Sequence, residues 1–251
     1  MLGAVERYLL DVIERDGAAH LTLIDPESQP PERAGRIAEG AARAGTDAFM
    51  VGGSINAAGG LLDETVHAIR RVTSLPVILF PAGVHSLTPH ADALFFMSML
   101  NSRDLTYIVG NQMLGAPLVV GYGIEAIPMA YLVVEPGGTV GYVGDARPIP
   151  RAKPEIAVAY ALAAQLMGMR FVYLEAGSGV SSPVPPEMIS AVRGASRCTL
   201  VVGGGIRDPS TAESMVRAGA HAIVTGNLVE MREDVEDVET TLAELIAAMK
   251  S

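Results

Sequence analysis

Residues Tyr173–Gly179 read Tyr-Leu-Glu-Ala-Gly-Ser-Gly, an apolar strand that ends in a carboxylate and runs into a glycine-rich turn. Gly177 and Gly179 let successive backbone N–H groups around Ser178 converge on an anion with no Cβ in the way. Two later apolar runs end in the same style, Val201-Val202-Gly203-Gly204-Gly205 and Ile223-Val224-Thr225-Gly226-Asn227. At a single such ending, turning the chain out of its strand is reason enough for glycine. Three in succession predict one phosphate cup, its charge shared by backbone amides and by the dipole of a helix starting near Pro209.

Tyr173 and Glu175 stand two apart, so on a strand they share a side, with Leu174 on the other. A carboxylate at a strand end can accept a hydrogen bond from an alcohol and take its proton as the oxygen becomes a nucleophile. Glu175 is therefore the candidate base for a hydroxyl-bearing substrate, the bland reading being an acid neutralised by Arg207. Asp25 closes the run His20–Ile24 and Ser54 closes Asp47–Gly53, and both are expected on neighbouring strand ends opposite the cup. Mg²⁺ commonly takes few protein ligands and completes its shell with water and substrate phosphates. Asp25 and Ser54 are thus candidate Mg²⁺ ligands for a second phosphorylated substrate, although an Asp-Pro pair taken alone is more often a turn.

The composition excludes several other chemistries. The chain of 251 residues has a formal net charge of −10, with 16 Arg but only two Lys, Lys153 and Lys250, and no basic run. Nucleic acid is therefore not an expected partner. Neither lysine lies at a strand end, which argues against Schiff-base chemistry. Cys198 is the only cysteine, so no internal disulfide or cysteine metal cage can form, in keeping with a reducing cytoplasmic setting. His20, His67, His85, His90 and His221 show no zinc spacing. The N-terminal stretch reads as an amphipathic helix and not a signal peptide, and residues 113–134 are broken by Pro and Gly too often to span a bilayer.

Eight short apolar strands, mostly alternating with helices and without a composition break, predict a (β/α)8 TIM barrel of the phosphate-binding type as one domain over 1–251. The strands are placed at 20–24, 47–53, 76–80, 93–97, 129–134, 171–174, 199–202 and 222–225. Helices are expected at 30–44, 61–72, 104–114, 154–167, 186–192, 209–218 and 238–249, with 139–151 a long loop. Only about twelve residues separate strands three and four, too few for a regular crossover helix, so the third helix is expected to be missing or irregular. An open doubly wound sheet would not set the last three strand ends around one anion.

The strand endings together resemble the geranylgeranylglyceryl phosphate synthase family. The resemblance runs through His-Leu-Thr-Leu-Ile-Asp-Pro from His20, Val-Gly-Gly-Ser from Val51 and Pro-Val-Ile-Leu-Phe-Pro from Pro76. It continues through Ala-Asp-Ala-Leu-Phe-Phe-Met-Ser-Met-Leu-Asn-Ser from Ala91 and the three glycine-rich endings. It implies that Asp25 and Ser54 hold Mg²⁺. It also implies that Tyr173, Leu174, Glu175, Ala176, Gly177, Ser178 and Gly179, with Gly204, Gly205, Gly226 and Asn227, bind sn-glycerol 1-phosphate. The implied reaction is transfer of a polyprenyl group, geranylgeranyl in the family's name, from its diphosphate to that acceptor. The gap after strand three would admit the prenyl chain. Where many relatives carry a basic residue soon after the Asp-Pro pair, this chain has Glu27 and Ser28. A homo-oligomer and peripheral membrane contact through an apolar mouth are further expectations. The competing readings are a phosphate-binding-barrel isomerase or cyclase using Asp25 with Glu135, and a non-enzymatic phospholigand-binding protein.

Overall fold

The computed structural model describes residues 2–53, 59–226, 228 and 235–250. Ser54 and Asn227 lie outside the described residues. Eight parallel strands close into a barrel in sequence order, β1 (Ala19–Ile24), β2 (Ala48–Val51), β3 (Val77–Leu79), β4 (Ala93–Met99), β5 (Glu125–Val133), β6 (Phe171–Glu175), β7 (Thr199–Gly203) and β8 (Ala222–Thr225). The outer layer includes α2 (Pro31–Ala44), α3 (Gly59–Val72), α4 (Asn111–Tyr122), α6 (Pro154–Leu166), α7 (Pro186–Ala195), α8 (Pro209–Arg217) and α9 (Val235–Met249), while α1 (Ala4–Asp16) and α5 (Gly138–Val143) lie outside that repeat.

Strand period sorts the side chains into two cores. Leu21, Met50, Phe95, Met129, Phe171 and Val201 fill the barrel interior, whereas Ile24, Phe49, Leu132, Val172 and Leu174 face the helices. The N-terminal mouth is plugged by α1, whose Val5, Leu9 and Val12 join the interior core. Glu125, at the start of β5, fixes that plug by accepting the Val5 and Glu6 N–H groups, both at 2.8 Å, and Arg170 pairs with the buried Glu6 at 2.6 Å. With that end sealed, chemistry is left to the C-terminal end.

Between β3 and β4 the only helical turn is a 3₁₀ turn, Val84–Ser86, so the helical wall has the gap read from the short connection. Three local readings are corrected. The helix expected to stop at 114 begins as a π turn, Thr106–Gly110, and continues as α4 through Pro117 to Tyr122. Strand five starts at Glu125 and includes Pro128, which has no N–H to give but whose carbonyl accepts from the Arg170 N–H at 3.2 Å. The stretch read as loop from 139 holds α5 in its first half, a helix whose glycines hid it from propensity.

Candidate active site

An open cavity of about 160 Å³ runs from the barrel axis out through the β3–β4 gap. Its inner end is polar, formed by Asp25 after β1, Glu175 at the end of β6 and Ser178 in the next loop. Its middle passes Phe80 and Tyr131, and its outer part lies between Val84, Leu87, Phe96, Gly115 and Val119.

Glu175 is 7% exposed, and its Oε1 accepts the Gly177 N–H at 2.6 Å. Burial pushes its carboxyl above the ordinary range, while the Gly177 amide and the Tyr173 and Tyr131 hydroxyls act the other way by favouring the charged form. Beneath it, Phe80, Tyr131 and Tyr173 form an aromatic triangle with ring centroids 5.1–5.6 Å apart. Burial, and then the Glu175 charge, raise both tyrosine hydroxyls well above their usual value, so they remain protonated donors.

The glycines serve this packing as well as the cup. Gly204 has φ +84°, and a Cβ there would collide with Glu175 Oε1. Gly177, φ +113°, lies against Gly137 and Gly138 so closely that a side chain would meet their backbone at 2.7 Å, and Gly137 N–H donates to Ala176 O at 2.9 Å. The β6 loop is thus braced from behind by the loop that begins α5. Arg207 does not neutralise Glu175: its guanidinium donates to Gly179 O at 2.7 Å and Val180 O at 3.2 Å. Arg151 similarly ties Pro183 O (2.7 Å) to Glu135 O (3.4 Å). The Asp208 side chain caps α8 by accepting the Thr211 N–H at 2.8 Å, which aims the N-terminus of that helix from the loop after β7.

Of the residues singled out from sequence, Asp25, Glu175 and Ser178 line one cavity. Tyr173 lies in the interior below Glu175, whereas Leu174 and Ala176 are packed in the sheet–helix core, so only their backbone faces the loop. Gly204 and Gly205 follow β7, and Gly226 follows β8. Asp25 is not opposite the cup: β1 pairs with β8, so its strand adjoins the cup's last strand.

Asp25 is half-buried, and its Oδ1 accepts the Glu27 N–H at 3.0 Å. Burial raises its carboxyl, the Glu27 amide draws it back, and the Glu27 charge lifts it again; no cation contributes. A Cβ on Gly53 would strike this carboxylate, so glycine there keeps its approach open. An anionic oxygen pair that faces a cavity and has no basic partner among the described residues fits a hard cation such as Mg²⁺. Sequence reasoning did not single out Phe80 and Tyr131. The signal for Tyr131 was its register, since it pairs directly with Tyr173 across β5 and β6.

A family model described as the PcrB family matches residues 10–249. The chain is 62% identical over 235 residues to geranylgeranylglyceryl phosphate synthase of Methanothrix thermoacetophila, covering 93% of this chain and 92% of the relative. It is 57% identical over 248 residues to the enzyme of the same name from Methanosarcina acetivorans, covering 98% and 99%. Among solved structures it is similar to (S)-3-O-geranylgeranylglyceryl phosphate synthase from Thermoplasma acidophilum in complex with substrate sn-glycerol-1-phosphate. That likeness has a TM-score of 0.93 and 45% identity over 100% of this chain and 99% of that one.

Proposed function

This chain belongs to the PcrB family, and from that premise we propose that it transfers a polyprenyl group, geranylgeranyl by the name of its relatives, to the hydroxyl of sn-glycerol 1-phosphate. The product is an ether and the leaving group diphosphate, which makes this the first ether-bond step of archaeal-type membrane lipid synthesis. The observation that carries the reading is the two-ended cavity: a buried carboxylate beside a glycine-rich loop at one end and an apolar exit through the β3–β4 gap at the other. A sugar-phosphate isomerase or cyclase has no use for that exit.

In this reading the phosphate of the acceptor rests on the backbone amides that follow β6, β7 and β8. Glu175 holds the acceptor hydroxyl and takes its proton as the oxygen bonds to the allylic C1, while the bond from C1 to the diphosphate oxygen breaks. Raised basicity suits Glu175 to that transfer, and Tyr131 and Tyr173 fix the carboxylate from below. Asp25, with Ser54 by resemblance, would hold Mg²⁺; when bound, the cation supplies positive charge to the departing diphosphate. The prenyl chain lies along Phe96, Leu87 and Val119.

The groove assignment is tested at Gly115, where an added Cβ would stand 3.5 Å from Leu87. Gly115→Phe is expected to move the longest accepted donor in a ladder of prenyl diphosphates to a shorter chain, with short donors still turned over. An unchanged ladder would place the chain elsewhere.

Residues 106–124 contain no charged side chain, and Val109, Met113, Leu114 and Val120 are exposed along them. We assign this face to contact with a second copy of the chain, in a cytoplasmic homo-oligomer. No described helix is long and apolar enough to cross a membrane. Sedimentation velocity is expected to give a species larger than one 251-residue chain; a monomer would leave the face to peripheral membrane contact.

A further inference from the structure

The barrel contains a buried polar chain that the proposed chemistry does not use. It lies between β1 and the helix layer and involves His20, Thr22, Thr46 and Thr225, none more than 3% exposed. His20 Nδ1 is 2.9 Å from Thr46 Oγ1, and His20 Nε2 is 2.9 Å from Thr225 Oγ1. Thr22 donates to Thr46 Oγ1 at 3.0 Å, and Thr46 itself has two backbone carbonyls in reach, His20 O at 3.2 Å and Ala48 O at 3.3 Å.

One proton arrangement satisfies every group. Thr46 gives its single proton to a carbonyl, and its oxygen accepts from Thr22 and from His20 Nδ1–H. Nε2 is then an acceptor, and the Thr225 hydroxyl must donate to it. His20 is itself fixed, since its backbone N–H donates to Asp47 Oδ2 at 2.7 Å and Asp47 is held by Lys250 at 2.8 Å. Burial lowers the His20 pKa to about 3, with the Lys250 charge acting in the same direction, so the ring is neutral wherever the enzyme works.

Thr225 is the last residue of β8, and Gly226 follows directly. On the reading that the ends of β6 to β8 hold the acceptor phosphate, we infer that His20 is a positioning residue: through Thr225 it sets the backbone of the β8 end that delivers an amide to that phosphate. His20 faces the helices and touches no substrate, so it acts on acceptor binding and leaves donor binding alone. A buried imidazole between two threonines would otherwise be a poor substitute for an apolar residue, because desolvating it gains nothing unless both nitrogens find partners.

The test measures binding of sn-glycerol 1-phosphate by calorimetry, with KM for the prenyl diphosphate alongside, in the wild type and in Thr225→Val, Thr225→Ser, His20→Leu and the double variant His20→Leu/Thr225→Val. Loss of one well-placed phosphate donor is expected to weaken acceptor binding about tenfold in Thr225→Val. Donor KM stays within about twofold on the same argument, and Thr225→Ser, which keeps the hydroxyl, restores acceptor binding. The double variant is expected to be no weaker than the weaker single, since the His20–Thr225 contact that Thr225→Val breaks is already lost in His20→Leu. Thr225→Val nearly conserves shape, so it carries the test even if His20→Leu fails to fold. Wild-type protein that does not bind sn-glycerol 1-phosphate would overturn the functional reading itself. Wild-type binding that Thr225→Val leaves unchanged, or a loss shared equally by donor and acceptor, would overturn the role of His20.

Discussion

Glu175→Gln is expected to lower turnover by about two to four orders of magnitude, the range associated with removing a positioned general base. Glutamine keeps the shape and can still accept from Gly177 N–H, so the loop should stay in place while the proton acceptor is gone. Acceptor affinity is expected to change much less than kcat, because the phosphate end of that substrate rests on backbone amides. The pH profile adds a second readout. Turnover in the wild type rises with pH as the Glu175 carboxyl ionises, and burial sets that rise above the ordinary carboxylate range near 4.3. Glu175→Gln should lack this limb.

Stability should move in the opposite sense. A carboxyl whose folded pKa lies above its unfolded value binds protons more tightly in the native state. Its contribution is therefore favourable at low pH and is lost as pH rises through the window between the two values. Above that window the wild type carries a desolvated carboxylate that the glutamine variant lacks. Thermal melts are expected to show Glu175→Gln at least as stable as the wild type above the window, the difference shrinking toward acid. A variant that is inactive and also much less stable would mean that Glu175 serves the loop's structure and not the proton transfer.

The second large effect is expected at Asp25. Asp25→Asn keeps a carbonyl oxygen for the Glu27 N–H but removes the negative charge from the cavity wall. If that charge holds Mg²⁺, about 3 kcal/mol of leaving-group stabilisation depend on it, so turnover should fall on the order of a hundredfold. The half-maximal Mg²⁺ concentration should rise at the same time. Calorimetry with sn-glycerol 1-phosphate should show acceptor binding largely retained, which separates this variant from any damage to the cup. Turnover close to wild type in Asp25→Asn would show the metal assignment to be wrong.

Much of this arrangement was legible in the chain because it depends on backbone chemistry. Glycines after β6, β7 and β8 announce themselves at the ends of apolar runs, and the short connection from Phe80 to Asp92 cannot hold a crossover helix whatever its side chains. The period-2 alternation at 173–175 placed Tyr173 and Glu175 on the interior face, where the structure has them. What propensity misjudged was settled by tertiary context. Pro128 sits in β5 because the ladder there calls on its carbonyl, and α5 forms from glycine-rich sequence because the β6 loop packs against its start. The Phe80–Tyr131–Tyr173 triangle joins β5 and β6 to the residue that follows β3 and emerges only once the strand register is known. The same holds for the His20–Thr225 contact, whose partners lie 205 positions apart.

Whether one cavity brings a prenyl diphosphate and a glycerol phosphate together for ether formation is decided by the product of the unmodified protein incubated with Mg²⁺, geranylgeranyl diphosphate and either sn-glycerol 1-phosphate or its 3-phosphate enantiomer, read by mass. The expected product is a prenyl ether of the 1-phosphate, with an equal amount of diphosphate released. Binding of phosphate compounds without any ether product would contradict it.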